Sequence, residues 1–208
     1  YDFFGYSLLV QGAALLFGIH LMDNFNKPFL AQSVPEFWHR WHISLSTWFR
    51  DYIYIPIGGN KGGTGILIFG VLLVFFTSGL WHGANATMIY FGLAQGVLYL
   101  FDRFIFRKTF SGNSVGVAFR RLKTAFFFMS TLVFFRSGNV AQSVDIFNHL
   151  WVPRTYCETP ALHVSVNPQV WLFLVVGIVL DHCIVKERVD RWISPLKLGY
   201  RWFWYLFF

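Results

Sequence analysis

The chain has 208 residues and a mass of 24.2 kDa; 55% of it is hydrophobic, 21% aromatic and only 13% charged, with a mean hydropathy of +0.49. That apolar content excludes a disordered chain, and 26 Phe with 9 Trp are more than the core of so short a soluble domain can hold. The net charge of +7 is therefore read as loops facing an anionic membrane leaflet rather than as a nucleic-acid surface, and two cysteines supply neither a disulfide framework nor a metal cage.

In chain order, Tyr1 to Met22 reads as a first spanning segment, interrupted by Asp2, Gln11 and His20. Residues 33–60 differ. Ser33-Val34-Pro35-Glu36 is a capping box with proline in the first turn. Behind it Trp38, Trp41, Leu45, Trp48 and Tyr52 recur at helical spacing, opposite Arg40, Ser44, Thr47, Arg50 and Asp51. This predicts one amphipathic helix, too polar to span and too aromatic for water, which is interfacial or re-entrant over about 34–56. Pro56 and Gly58-Gly59-Asn60 stop it.

From Gly62 to Phe101 there is no Asp, Glu, Lys or Arg. One helix of that length would extend about 60 Å, twice the roughly 30 Å hydrocarbon thickness. Two antiparallel spans fit, turning at Trp81-His82-Gly83-Ala84-Asn85. Arg120 to Arg136 reads as a short span with snorkelling cations, and Asn167-Pro168 as the start of another helix reaching Val185. The 17 Lys and Arg divide as four in 27–61, six in 102–123, five in 186–201 and two in 136–169. A hairpin at 62–101 gathers the first three groups on one face, which is then cytoplasmic. The fold class expected is an all-α integral membrane protein, a multi-span helical bundle in a single domain over 1–208. Because it starts at Tyr1 and stops inside an apolar run, the chain is expected to be part of a longer protein.

His82 is the first chemical candidate, since an ionisable group at membrane depth is functional by default. Desolvation favours the neutral ring, a proton acceptor. The competing reading is a wetted hairpin tip made by His82 and Asn85. His42, beside the tryptophan stripe and near Ser44, Ser46 and Arg50-Asp51, is the second; the competing reading is a headgroup anchor. His39 and His42 at i, i+3 make a weak metal pair without a third ligand, so no metal is expected. His20, His149, His163 and His182 stand isolated. Gly58 to Gly65 is glycine-rich but lacks the phosphate-loop order, and Asn85-Ala86-Thr87 is a sequon inside an apolar run.

The stretch Glu36-Phe37-Trp38-His39-Arg40-Trp41-His42-Ile43-Ser44-Leu45-Ser46-Thr47-Trp48-Phe49-Arg50-Asp51-Tyr52-Ile53-Tyr54-Ile55-Pro56 resembles the signature of the membrane-bound O-acyltransferase superfamily. The nearest likeness is to its bacterial branch of alginate O-acetylation and teichoic-acid D-alanylation membrane proteins. Gly79-Leu80-Trp81-His82-Gly83-Ala84 resembles a second signature, and Tyr1-Asp2-Phe3, Met22 to Pro28 and Val133-Phe134-Phe135-Arg136 are further likenesses. His39 stands where the family often has Arg, and Ser78 where Gly is common. The resemblance implies that His82 is catalytic and His42 an essential partner, and that this is the C-terminal part of a longer fold.

The function expected is transfer of an acyl group, foremost acetyl, from a thioester donor to hydroxyls of an exported or cell-surface polysaccharide. Catalytic residues are His82 and His42; Trp81, Asn85 and Arg50 are expected to bind substrate, Arg50 otherwise forming an ion pair with Asp51. No bound cofactor is expected; the donor is acetyl-coenzyme A or a carrier-protein thioester. Partners expected are membrane lipid, the polysaccharide acceptor and a secreted or carrier protein, with no nucleic acid, in a multi-pass protein of the inner (plasma) membrane. The alternatives are a polysaccharide transport or scaffold subunit without acyl transfer, and, third, a metal-dependent membrane oxidase.

Overall fold

The computed structural model describes residues 2–106 and 114–151. The helix expected from Asn167-Pro168, the basic group at 186–201, His163 and His182 lie outside the described residues. Among these residues the structure is helical, with a single isolated bridge between Phe25 and Trp41.

Helix α1, Asp2–Leu16, is shorter than the span expected over Tyr1 to Met22. Its 15 residues extend about 22 Å, below the hydrocarbon thickness. Gly18 ends it. In the left-handed region at φ +73°, it lets its own N–H reach Leu15 O and that of Ile19 reach Ala14 O, each at 3.0 Å. These bonds satisfy carbonyls at the helix end, and apolar periodicity carries no sign of such a stop. Leu9, Leu16 and Phe17 remain exposed.

The single helix expected at about 34–56 is broken. Ser33 caps α2, Val34–Arg40, accepting from Glu36 N at 3.2 Å, while Glu36 Oε2 accepts from Gln32 N at 2.8 Å. The chain then extends at Trp41, turns left-handed at His42 and re-forms helix as α3, Ile43–Phe49. A π-helical turn over Arg50–Tyr54 follows. The break has a cause in the preceding loop. In a continuous helix Arg40 O would accept from Ser44, and Ile43 N would donate to His39 O. Instead Arg40 O accepts from Asn26 N (2.9 Å), Ile43 N donates to Asn24 O (3.0 Å), and Ser44 N donates to Asn24 Oδ1 (3.1 Å).

The break divides the tryptophan stripe. Trp38 and Trp41 pack with Phe37 and Phe128, and Trp38 also meets Phe75 edge-on at 5.2 Å. Trp48 lies against Phe49 and Tyr52 and is 51% exposed. Spacing placed the tryptophans on one face, but the left-handed residue between them rotates α3 away from α2.

The hairpin expected from the charge-free stretch is present. Helix α4, Gly63–His82, and helix α5, Ala86–Phe101, run antiparallel, and Asn85 caps α5 by accepting from Met88 N. They approach closely at Gly79 and Gly92: a Cβ on Gly79 would strike Met88 O, and one on Gly92 would strike Phe75 O. Small residues at a crossing are the usual device for packing helices where lipid removes the hydrophobic drive. Gly63–His82 and Ala86–Phe106 are long and apolar enough to cross a membrane. Phe69 and Val97 stand exposed on them, as lipid-facing side chains do.

Helix α6, Ser114–Arg136, follows, then α7, Val140–Trp151. Of the cations expected to snorkel at the ends of this segment, Arg136 is exposed, but those of the first half of α6 are corrected here, because they turn inward. Arg120 Nε donates to Gln32 Oε1 (2.9 Å), Arg121 Nε to Leu30 O (3.2 Å), and Lys123 pairs with the buried Asp102. Asp102 also accepts from Val34 N at 2.6 Å, tying the start of α2 to α6. Deeper in, buried Gln95 accepts from Trp38 Nε1 (3.3 Å) and donates to Thr131 Oγ1 (2.6 Å), joining α2, α5 and α6. Burying such groups is costly unless each is paired, and these are.

Candidate active site

His82 is the last residue of α4, and Gly83 closes the helix with its N–H on Gly79 O and Leu80 O. The hairpin turn therefore presents the imidazole at the end of a rigid element. His42 arrives from the α2–α3 break. Its φ of 45° and ψ of 55° are left-handed, a conformation that costs a non-glycine residue of order 1–3 kcal/mol and persists only where the surroundings enforce it. Here the enforcing groups are the backbone bonds from Asn24 and Asn26.

The structure brings the two histidines, 40 positions apart in the sequence, onto one tryptophan. The Trp81 ring lies 5.9 Å from His42 and 4.9 Å from His82, both edge-on. Phe3 of α1 covers His42 at 4.7 Å. Phe91 of α5 (5.8 Å) and Phe135 of α6 (5.2 Å) flank His82. Both imidazoles are half-buried, while Trp81 is 58% exposed. Burial, and after it the proximity of His82, push the His42 imidazole below its ordinary value, so it is neutral near pH 7.

Asn85 spends its side-chain oxygen on the α5 cap, accepting from Met88 N (2.9 Å) and Thr87 Oγ1 (2.8 Å). Arg50 is held by Asp51, Nε to Oδ1 at 2.7 Å and Nη2 to Oδ2 at 3.2 Å, and this bond lowers the Asp51 carboxyl below its ordinary value. None of these contacts joins Arg50 to a histidine. His39 is exposed at the end of α2, and among the described residues no group of three His, Cys, Asp or Glu comes together as a metal site.

Sequence reasoning placed Ser44 near His42 and found Phe3 and Phe135 only within family-like segments, without assigning them to the site; it missed Phe91 of the aromatic shell and Ser7 and Asn24 of the polar set behind His42 as site residues. Phe91 had no signal of its own among so many phenylalanines. Asn24 had one, as a polar residue in the Met22 to Pro28 segment, but a loop residue has no periodicity to say what it faces.

Two half-buried imidazoles in an aromatic shell, at the end of a helical hairpin apolar enough to cross a membrane, are groups able to take up and return a proton. The sequence profile of the membrane-bound O-acyltransferase family matches residues 1–139, and the chain belongs to that family. It is 48% identical over 103 residues to a probable alginate O-acetylase of Pseudomonas aeruginosa, covering 50% of this chain and 20% of that one. It is 44% identical over 97 residues to a peptidoglycan O-acetyltransferase of Helicobacter pylori, covering 47% and 18%. With a teichoic acid D-alanyltransferase of Bacillus subtilis it shares 37% over 105 residues, 47% and 27%. The matched stretch thus spans about a fifth to a quarter of these relatives.

Proposed function

We propose that the protein is a membrane O-acyltransferase that moves an acyl group, foremost acetyl, from a thioester to hydroxyls of an exported or cell-surface polysaccharide. The observation that carries this is the meeting of His42 and His82 on Trp81, in a chain whose relatives are named for O-acetyl and D-alanyl transfer. His82 takes the proton of the acceptor hydroxyl as its oxygen attacks the thioester carbonyl. The C–S bond breaks, and the leaving thiolate takes that proton back from the imidazolium. His42, neutral, orients the hydroxyl. The exposed face of Trp81 offers a flat apolar platform for a sugar ring.

The donor is acetyl-coenzyme A or a carrier-protein thioester, presented at the basic, cytoplasmic face of a multi-pass inner-membrane protein. A secreted or carrier protein completes the route to the acceptor. In the full-length protein, His82→Ala and His82→Gln are each expected to lower acyl transfer on the order of 10²–10⁴-fold, with membrane insertion unchanged. The measurement is polysaccharide O-acylation in cells with protein level followed alongside. Full acylation by His82→Gln ends the general-base assignment.

A further inference from the structure

Ser44 has one hydroxyl proton, and where it goes decides the protonation pattern of the neighbouring imidazole. Asn24 Oδ1 receives both the Ser44 backbone N–H, at 3.1 Å, and the Ser44 hydroxyl, at 2.6 Å. The backbone N–H is an obligatory donor, so the atom it meets is the amide's oxygen and not its nitrogen. The Asn24 nitrogen faces Ser7 Oγ at 3.4 Å, and the Ser7 hydroxyl donates in turn to Phe3 O at 2.9 Å. The Ser44 and Ser7 hydroxyl protons are thus both committed away from His42. With its proton on Asn24, Ser44 Oγ has only lone pairs to show His42 Nδ1, 3.5 Å away. A neutral imidazole facing a lone pair keeps its proton on that nitrogen.

We propose that Asn24 and Ser44 are positioning residues that hold His42 in the Nδ1–H tautomer, leaving the Nε2 lone pair to receive the hydrogen bond of the incoming hydroxyl. The catalytic part rests on the reading of His42 as a site residue; the tautomer is independent of it. Asn24 acts twice: its backbone oxygen accepts from Ile43 N and keeps the left-handed turn at His42, while its side chain sets the imidazole's donor pattern. One loop residue therefore fixes both where the ring sits and which nitrogen is basic.

The test is magic-angle-spinning NMR of the full-length protein in lipid with isotopically labelled histidine nitrogens, the His42 signals identified by their loss in His42→Gln. Wild-type protein at mildly alkaline pH is expected to show Nδ1 protonated and Nε2 bare. Asn24→Ala releases the Ser44 hydroxyl to donate to Nδ1 and moves the proton to Nε2. Ser44→Ala removes the bias and gives a mixture. Asn24→Asp keeps an acceptor for both Ser44 donors and restores the wild-type pattern. Acyl transfer follows the spectra: about tenfold slower in Asn24→Ala, the worth of one hydrogen bond, and largely recovered in Asn24→Asp. A wild-type proton on Nε2 overturns the proposal, as does a pattern unmoved in both Asn24→Ala and Ser44→Ala. The wild-type and Ser44→Ala spectra decide it even where Asn24→Ala fails to accumulate. Full transfer by His42→Gln, together with the Nδ1–H pattern in the wild-type protein, overturns the role of His42 in the reaction and upholds the tautomer.

Discussion

His42 carries two separate burdens, a left-handed backbone and a half-buried ring, and the second has a measurable consequence. Burial is the larger cause of its lowered affinity for protons and the neighbouring His82 the smaller. The folded protein therefore binds a proton at His42 less readily than the unfolded chain does. The stability this group contributes is present above about pH 6.5, the ordinary histidine value, and is lost as pH falls through the lower folded value. In a titration followed by NMR, the His42 midpoint is expected below the ordinary value. His82→Gln removes the smaller cause, so the midpoint rises but stays depressed. A midpoint above the ordinary value, or a fall on His82→Gln, contradicts this account of the site.

Among the elements, the α4–α5 hairpin carries the site, because α4 ends in Trp81 and His82 and the helix crossing fixes how α5 brings Phe91 beside His82. That crossing depends on Gly79 and Gly92. Gly92→Ala puts a methyl group against Phe75 O, a backbone atom that cannot step aside without parting the helices. It is expected to lower the yield of folded protein and the thermal midpoint in detergent. Gly65→Ala, in the facing helix α4 with nothing within 4 Å of the new Cβ, is expected to be neutral or to stabilise by up to about 1 kcal/mol through helix propensity. Equal behaviour of the two variants shows that the close approach is not what holds the hairpin. The α2–α3 pair follows a different rule: its two halves are set by pairing with residues 24–26 rather than by propensity.

For the whole molecule, the ends of the hairpin meet. Arg103 Nη2 donates to Asn60 Oδ1 at 3.2 Å, and Tyr54 donates to the same oxygen at 2.9 Å. Chain entering α4 and chain leaving α5 therefore share one side. By the positive-inside rule, cysteines placed at Lys61 and Arg103 in the full-length protein are expected to react with an impermeant reagent only from the cytoplasmic side. Labelling of the two positions from opposite sides removes the two-span hairpin.

Length, charge-free runs and the tryptophan-rich signature determined the helical membrane class, the hairpin at 62–101 and the choice of His42 and His82. Each of these is written in the order of residues along the chain: apolar stretches are measured against bilayer thickness, and an ionisable group stands out where its neighbours are apolar. The break at His42, the inward turn of Arg120, Arg121 and Lys123, and the assembly of the aromatic and polar shells of the site were decided only by tertiary structure. Periodicity describes which residues share a face of one helix. It does not describe which backbone groups a distant loop will claim, and here Asn24 and Asn26 claim those that a continuous helix through His42 would have needed.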